Sequence, residues 1–331
     1  MTDLARLTGA TLVAGVTLAA LFAPQLAPHP IDQQMRGWFN APPTIPHIRD
    51  DDGHWQRPFV YRLVQVSQLE QRYEQDRSTR VPLAWFTAGR LVQSSDDATT
   101  PLLLVGADSY GRDVLSRLLY GARVSLGLSL SAALGAVLVG LLAGGIAGYA
   151  GGAVDDLLMR ASDFVVVLPM MYVVLVLRAV LPPVLSTSMV FVLLAIIFAV
   201  VGAPFIARGV RGIVRSERQL DYAVAAISLG AGHTRVLVAH LLPATRGFVG
   251  AEMTVLVPAF IVAEATLSYV GLGFPDPVAS WGTMLHDAAT IRAFADFPWL
   301  LSPAAAMFVV VLGLNLILER RRDAARAERV M

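Results

Sequence analysis

Long apolar runs that carry almost no charge alternate along the chain with stretches in which the charged residues collect. A helix needs roughly 20 apolar residues to cross the hydrocarbon core of a bilayer, because only a helix or a closed barrel satisfies its backbone polar groups there. Six runs are long enough, and they predict an all-α membrane protein with six transmembrane helices. The predicted spans cover residues 7–27, 124–149, 164–181, 189–207, 254–274 and 298–318.

Polar or helix-breaking residues interrupt two of the six spans. The third contains Pro169 and Arg178, and the fifth contains Pro258 and Glu264. Ionisable groups inside a membrane are costly, so Arg178 and Glu264 are candidate residues of a pathway through the membrane or of its gate. An ion pair that only holds helices together explains them equally well. We interpret the first span as a membrane helix rather than a cleaved signal peptide, because its flank offers only Arg6 and no small-x-small cleavage pattern follows.

Arginines collect near the ends of two predicted helices, and they set the expected orientation. Cytoplasmic loops are enriched in basic residues, so we place the loop at 208–250 and the tail at 319–331 in the cytoplasm. With six spans, the N-terminus is then cytoplasmic too, and the segment after the first span is extracytoplasmic. The loop carries Arg208, Arg211, Arg215, Arg218, Arg235 and Arg246, and the tail carries Arg320, Arg321, Arg322, Arg326 and Arg329.

The extracytoplasmic segment at 28–105 is long enough to form a small mixed module of its own. It begins rich in proline, and its later part predicts strands at 59–66 and 81–86 with a short polar helix at 68–77 between them. One stretch of the segment has the residue types of a metal site, but an Asp-rich solvated turn is the better interpretation, and we predict no metal. That stretch contains His47, Asp50, Asp51, Asp52 and His54.

Composition excludes several kinds of chemistry. Of the 331 residues 55% are hydrophobic and 15% charged, and the net charge of +1 gives no reason to expect a nucleic acid partner. The chain has no Cys, and all 26 basic residues are Arg, so a phosphate-binding loop of the G-x-x-x-x-G-K-[ST] type is impossible. Any ATP that drives this protein must therefore bind to another chain. An intramembrane enzyme is disfavoured as well, since the sequence has neither a G-x-S-x-G nor an H-E-x-x-H motif.

The segment at 106–123 predicts a helix that lies along the membrane surface before the second span. Asp108 or Ser109 can cap its first turn, and Asp113 and Arg117 are spaced as an ion pair. Such a helix can be a capped interfacial element, and equally a gate or docking element, so Arg112 and Asp113 are candidate gating residues. Its apolar face is formed by Val114, Leu115, Leu118 and Leu119.

Glycines recur every four residues along the second span, at Gly140, Gly144, Gly148 and Gly152. A row of residues without side chains leaves a groove in which another helix can approach backbone to backbone. The row therefore predicts close helix packing and indicates nothing about substrate.

The cytoplasmic segment at 221–243 predicts two helices joined by a sharp turn. Gly230 and Gly232 permit the turn, and the second helix should stop at Pro243. Small or apolar side chains share one side of the first helix, which suits insertion into a cleft on a soluble partner, although an ordinary surface hairpin has the same pattern. These residues are Tyr222, Ala225, Ala226 and Leu229.

This segment resembles the coupling loop of ABC-importer permeases, whose pattern is E-A-A, three residues, G, and a longer gap that ends in L-P. Ala225, Ala226, Gly230, Leu242 and Pro243 match in register, and Val224 stands where the family has Glu. The segments at 106–126, 148–160, 264–273 and 280–285 are similar, in the same order, to the dipeptide and oligopeptide permease subfamily. The resemblance covers roughly residues 106–318; the insert at 28–105 is longer than that subfamily usually carries.

The resemblance implies the type I ABC-importer permease (MetI-like) fold and a permease subunit in the bacterial inner membrane that is not an enzyme. Tyr222, Ala225, Ala226, Gly230, Leu242 and Pro243 would couple it to an ATPase. The implied partners are a second related permease subunit, two cytoplasmic ATPase subunits that bind ATP, and an extracytoplasmic substrate-binding protein. Peptides are the expected solute, with nickel chelates or glutathione-like compounds as alternatives. A channel or ion-coupled transporter that works without an ATPase is a further alternative.

Overall fold

In a computed structural model of the chain, the structure describes residues 2–50, 54–169, 172–176 and 186–330. The helices are α1 (Thr2–Leu21), α2 (Ala23–Leu26), α3 (Val114–Ala150), α4 (Gly152–Val167), α5 (Thr187–Glu217), α6 (Asp221–Ser228), α7 (His233–Tyr269), α8 (Trp281–Asp287), α9 (Ile291–Asp296) and α10 (Ser302–Val330). The strands are β1 (His47–Arg49), β2 (Trp55–Ser67), β3 (Arg72–Thr87) and β4 (Arg90–Ser94).

Five helical segments are long and apolar enough to cross a membrane: Leu4–Leu21, Val114–Ala150, Thr187–Glu217, His233–Tyr269 and Pro298–Ile317. They correspond to the first, second, fourth, fifth and sixth predicted spans. The predicted third span begins inside α4, which ends at Val167. Residues 170, 171 and 177–181 of this predicted span, Arg178 included, lie outside the described residues.

The segment after α2 forms a four-stranded antiparallel sheet in the order β1-β2-β3-β4, which we call the β module. The predicted strands at 59–66 and 81–86 are confirmed within β2 and β3. The predicted helix at 68–77 is wrong, because Tyr73 and Gln75 belong to β3 and pair with Gln65 and Leu63 of β2. Tertiary contacts override the polar local sequence here: the Tyr73 ring stacks on Trp38 at 6.1 Å, and its hydroxyl donates to two backbone carbonyls.

The helix predicted along the membrane surface is not a separate element. Asp113, rather than Asp108 or Ser109, accepts from the backbone N–H of Leu115 and Ser116 and so caps α3. From there α3 continues without a break for 37 residues, which at about 1.5 Å per residue is longer than a bilayer core is thick. The predicted Asp113–Arg117 ion pair is also wrong, because Arg117 pairs with Asp108 and Asp287.

The glycine row of α3 provides the predicted close approach, and its partner is α5. A Cβ added at Gly140 would lie 2.5 Å from Cβ of Ile206, and one added at Gly148 would lie 2.6 Å from the carbonyl oxygen of Arg211. Gly144 faces the backbone of Ala207 in the same way. The prediction is confirmed for these three glycines. Gly152 differs, since it follows the end of α3 with a positive φ of 57° and has no atom near its Cβ position.

The described contacts divide the chain into two compact units. One unit comprises Met1–Thr11, Leu126–Glu264 and Val311–Met331. The other comprises Leu12–Ser125 and Ala265–Val310, and it includes the β module.

Candidate functional site

Helix α6 presents an exposed apolar surface at the segment that resembles a coupling loop. Val224 is 50% exposed and Leu229 is 88% exposed, whereas Ala223 is fully buried. Of the predicted coupling residues, Tyr222 and Ala225 are exposed and Ala226 is partly buried. An eight-residue helix with a single buried anchor and exposed apolar side chains is typical of an element that docks on a partner.

The C-terminal end of α6 is fixed by Gly230. Its N–H donates to the carbonyl of Ile227, and the N–H of Ala231 donates to the carbonyl of Ala226. These two bonds make a Schellman motif, which requires a left-handed residue at the position of Gly230. Its φ is +86°, and nothing lies within 4 Å of the place where a Cβ would be. Gly230 is therefore needed for its backbone conformation and not for space.

After the turn, the chain returns as helix α7. The prediction that this helix stops at Pro243 is wrong. A π-helical turn at Val236–Leu241 and a 3-10 turn at Leu242–Thr245 precede the regular part of the helix, which continues to Tyr269. Proline has no N–H for the α-helical ladder, and the local change of helix type accommodates that loss. A Cβ added at Gly145 of α3 would lie 3.2 Å from Leu242, so Leu242 packs on the bundle rather than on the exposed surface.

Tyr149, at the end of α3, connects three elements near the exposed helix. Its hydroxyl is 2.7 Å from Nδ1 of His233, the first residue of α7. Arg218, which follows α5, stacks over the Tyr149 ring at 5.0 Å and donates to the Tyr149 carbonyl. At the start of α6, the hydroxyl of Tyr222 donates to Glu217, and this hydrogen bond raises the pKa of Tyr222 to about 12.

Asp155, at the start of α4, binds the guanidinium of Arg211 on α5 through both carboxylate oxygens. This bidentate geometry is the strongest form of the Arg–carboxylate pair, and the Asp155 side chain is buried. Arg215 lies 3.8 Å from the same carboxylate. Together the contacts of Tyr149 and Asp155 form a polar joint, by which we mean Tyr149, Asp155, Arg211, Arg218 and His233. Sequence analysis missed the joint, although Tyr149 and Asp155 belong to a segment that resembles the family.

The candidate gating residues Arg112 and Asp113 are both buried, and each has a structural partner. Arg112 donates to Asp108 at 2.6 Å and to Asp287 at 2.8 Å, which ties the start of α3 to α8. Burial raises the pKa of Asp287, and the charges of Arg112 and Arg117 oppose that rise. The two candidates therefore hold helix ends together in this conformation.

Trp281, the first residue of α8, fixes this helix to α3. Its backbone N–H donates to Oγ of Ser125 at 3.1 Å, and its indole N–H donates to the carbonyl of Leu118 at 3.2 Å. Ser280 and Thr283 cap the helix reciprocally. These contacts give a physical reason for the S-W-G-T motif at 280–283.

His29 forms a second buried charge cluster, which sequence analysis did not identify. Its Nε2 is 2.8 Å from Asp97 and its Nδ1 is 3.3 Å from Asp113. Burial by itself would lower the pKa of His29, but the hydrogen bonds and charges of Asp113 and Asp97 outweigh it and raise the pKa to about 9. His29 is therefore protonated at neutral pH, and it links the segment after α2 to the start of α3.

The other candidates from the sequence are Glu264, Arg178 and the possible metal-binding stretch. Glu264 is fully buried in α7 and has an interaction partner. Arg178 lies outside the described residues, as do Asp51 and Asp52. In the part of the chain that the structure describes, no group of three or more His, Asp or Glu residues could hold a metal ion.

Comparison with known proteins connects these features to a family. Residues 136–324 match the family model of the binding-protein-dependent transport system inner membrane component. The chain is 37% identical over 220 residues to the oligopeptide transport system permease protein OppC of Bacillus subtilis (strain 168), which is 66% of this chain and 70% of the relative. It is 36% identical over 219 residues to the dipeptide transport system permease protein DppC of the same organism, 66% of this chain and 67% of the relative. Against DppC of Haemophilus influenzae it is 30% identical over 253 residues, 76% of this chain and 80% of the relative.

The apolar helices and these matches define a multi-pass membrane protein of a transport system. The chain belongs to the family of inner-membrane components of binding-protein-dependent transport systems. The match begins at residue 136, so the β module and the start of α3 lie outside the family model.

Proposed function

We propose that this chain is a permease subunit of an ATP-driven importer for peptides in the bacterial inner membrane. It would form half of the translocation pathway, with a second related permease subunit as the other half. Two cytoplasmic ATPase subunits would bind and hydrolyse ATP, and an extracytoplasmic binding protein would deliver the peptide. The relatives named as peptide permeases support the solute class.

The proposal includes a type I permease fold with six spans, of which the third predicted span, at 164–181, lies partly outside the described residues. Both termini, α6 and the polar joint would face the cytoplasm, and the β module would face the other side. The arginines at 208–246 and 320–329 support this orientation.

The exposed helix α6 is the observation that carries the proposal. Its apolar surface offers Val224, Ile227 and Leu229 to a cleft on an ATPase subunit, and the Schellman motif at Gly230 fixes its end. When the ATPase pair closes on ATP, the displacement of α6 would pass through the polar joint to α3, α4 and α5. The bundle would then shift between inward-open and outward-open states, because the two ATPase states bind different positions of α6.

The test replaces Leu229 with Asp in the full chain, co-expressed with its permease and ATPase partners. A carboxylate at this position is water-exposed in the free chain but would be buried against the ATPase, where an unpaired charge is costly. We expect membrane insertion to be normal, while ATPase co-purification and peptide uptake by vesicles are both lost. Ala226→Asp and Gly230→Trp should behave in the same way.

The matched control is Leu69→Asp in the turn between β2 and β3, where Leu69 is 91% exposed. This variant introduces the same charge far from α6 in the sequence and should retain both ATPase binding and uptake. Normal uptake by Leu229→Asp and Gly230→Trp would show that α6 is an ordinary surface hairpin.

A further inference from the structure

The end of β3, just before the turn to β4, exposes two aromatic side chains. Trp85 is 51% exposed and Phe86 is 80% exposed. Thr87 pairs with Arg90, and the two residues between them have positive φ angles of 50° and 76°, which makes a tight hairpin turn. Phe86 itself has a φ of 54°, a conformation that bulky residues rarely adopt. A large apolar side chain is thus exposed at the expense of backbone strain, which indicates a function for the tip.

The direction of this hairpin follows from three contacts that β4 and the residues just after it make with the segment after α2. The closer a contacting residue lies to the turn, the closer its partner in the chain lies to α1. Asp97 contacts His29, Gln93 donates to the carbonyl of Pro28 at 2.9 Å, and Arg90 donates to the carbonyl of Ala27 at 3.3 Å. The turn continues this direction beyond Arg90, so the hairpin tip points toward the end of α1.

The end of α1 is itself exposed and apolar. Leu18 is 53% exposed, Leu21 is 61% exposed and Phe22 is 53% exposed, and all three lie at or just after the end of a segment long enough to cross a membrane. A spanning helix exposes such side chains to lipid. The level at which the span ends is the membrane–water interface, where aromatic rings are enriched because one side of the ring is apolar and the surroundings are wet.

We infer that Trp85 and Phe86 insert into the membrane interface beside the outer end of α1, so that the β3–β4 tip is a lipid-binding anchor of the β module. The inference rests on the proposed crossing of the membrane by α1 and on the proposed orientation. Its lipid contact continues the exposed apolar surface of α1. A protein partner is the less favoured occupant, because the tip points toward the span instead of away from it.

The absence of Cys from the chain allows a direct test with single cysteines in the full-length protein. Phe86→Cys reports the tip, and Ala88→Cys reports it with both aromatic rings retained. Leu18→Cys reports the span, and Leu69→Cys is the water-exposed control in the other long hairpin. Each variant is labelled with an environment-sensitive fluorophore and reconstituted in nanodiscs whose lipids carry a nitroxide near the headgroup.

We expect several-fold stronger nitroxide quenching at positions 86 and 88 than at 69, with quenching at 18 as well. Quenching at 18 combined with values at 86 and 88 equal to that at 69 would overturn the anchor and leave the span intact. Absence of quenching at 18 would refute the span and the anchor together. A probe at 86 or 88 that becomes shielded only when the binding protein is added would replace the lipid anchor with a protein-docking tip.

Discussion

The packing of α3 on α5 permits a quantitative test at Gly144. A Cβ at this position would lie 2.9 Å from Cα of Ala207 and 3.0 Å from its carbonyl carbon, and closer still to its oxygen. All three are backbone atoms, so no side-chain rotation can relieve the overlap. Gly144→Ala must therefore move one helix backbone away from the other.

The expected change in the free energy of unfolding comes from two opposing effects. Replacing Gly by Ala inside a helix raises the free energy of unfolding by about 1 kcal/mol, because Ala loses less backbone entropy. Overpacking a well-packed contact costs about 1–3 kcal/mol. Gly212 lies in α5 with nothing within 4 Å of its Cβ position, so Gly212→Ala receives only the first effect. The helix-propensity gain is common to both variants, and we expect Gly144→Ala to be less stable than Gly212→Ala by about 1–3 kcal/mol.

The assay is the free energy of unfolding of the chain in detergent micelles, measured for the two variants and the parent. Gly212→Ala should match or exceed the parent, and Gly144→Ala should fall below Gly212→Ala by the stated amount. Equal free energies of unfolding for the two variants would refute the proposed backbone contact, because the overlap at Gly144 is then absent or relieved without cost.

Two further predictions concern the buried charges. The pKa of His29 rises from 6.5 to about 9 in the folded chain, so its contribution is fully present below pH 6.5 and lost as the pH rises through 9. The free energy of unfolding should fall by on the order of 3 kcal/mol across this window, and His29→Gln should flatten the profile. Asp155→Asn should lower the free energy of unfolding by about 1–3 kcal/mol, since it leaves Arg211 without its charged partner. Its matched control is Asp163→Asn, which breaks an exposed pair worth less than about 1 kcal/mol.

The outcomes that contradict these two predictions are distinct. A pH profile of His29→Gln that parallels the parent would show that other groups produce the loss at high pH. For the second pair, equal destabilisation by Asp155→Asn and Asp163→Asn would mean that the burial of Asp155 contributes nothing. In the proposed assembly Asp155→Asn should also reduce uptake while ATPase co-purification remains, because α6 stays intact.

Hydropathy and local periodicity predicted the structural features that depend on residues close together in the sequence. Five of the six apolar runs coincide with candidate spans in the described residues, and the four-residue spacing of Gly140, Gly144 and Gly148 predicted the packing face of α3, since both follow from helix geometry alone. The turn at Gly230 was predictable for the same reason, because left-handed backbone favours glycine.

Contacts between distant residues account for what the sequence did not predict. Residues 68–77 have a helix-compatible composition, yet Tyr73 pairs with β2 and stacks on Trp38. The stop at Pro243 was predicted because proline usually ends a helix, but a π-helical turn before the proline lets α7 continue. The ion pair assigned to Arg117 had the correct spacing within α3, whereas its actual partner Asp287 is brought there by α8.

The polar joint gives a physical reason why an eight-residue helix can transmit force in the proposed assembly. A helix this short is only marginally stable alone, so contacts with neighbouring elements must hold it in position. Ala223 is its buried anchor, the Schellman motif fixes its end, and the joint holds the ends of α3 and α5 and the start of α7 beside it. With Val224 at the position where the resembling permeases have Glu, the docking energy would come from apolar burial rather than from a charged contact. The joint, in which every side chain except that of Asp155 remains partly accessible to water, would then carry the directional, charge-assisted contacts that the docking surface lacks.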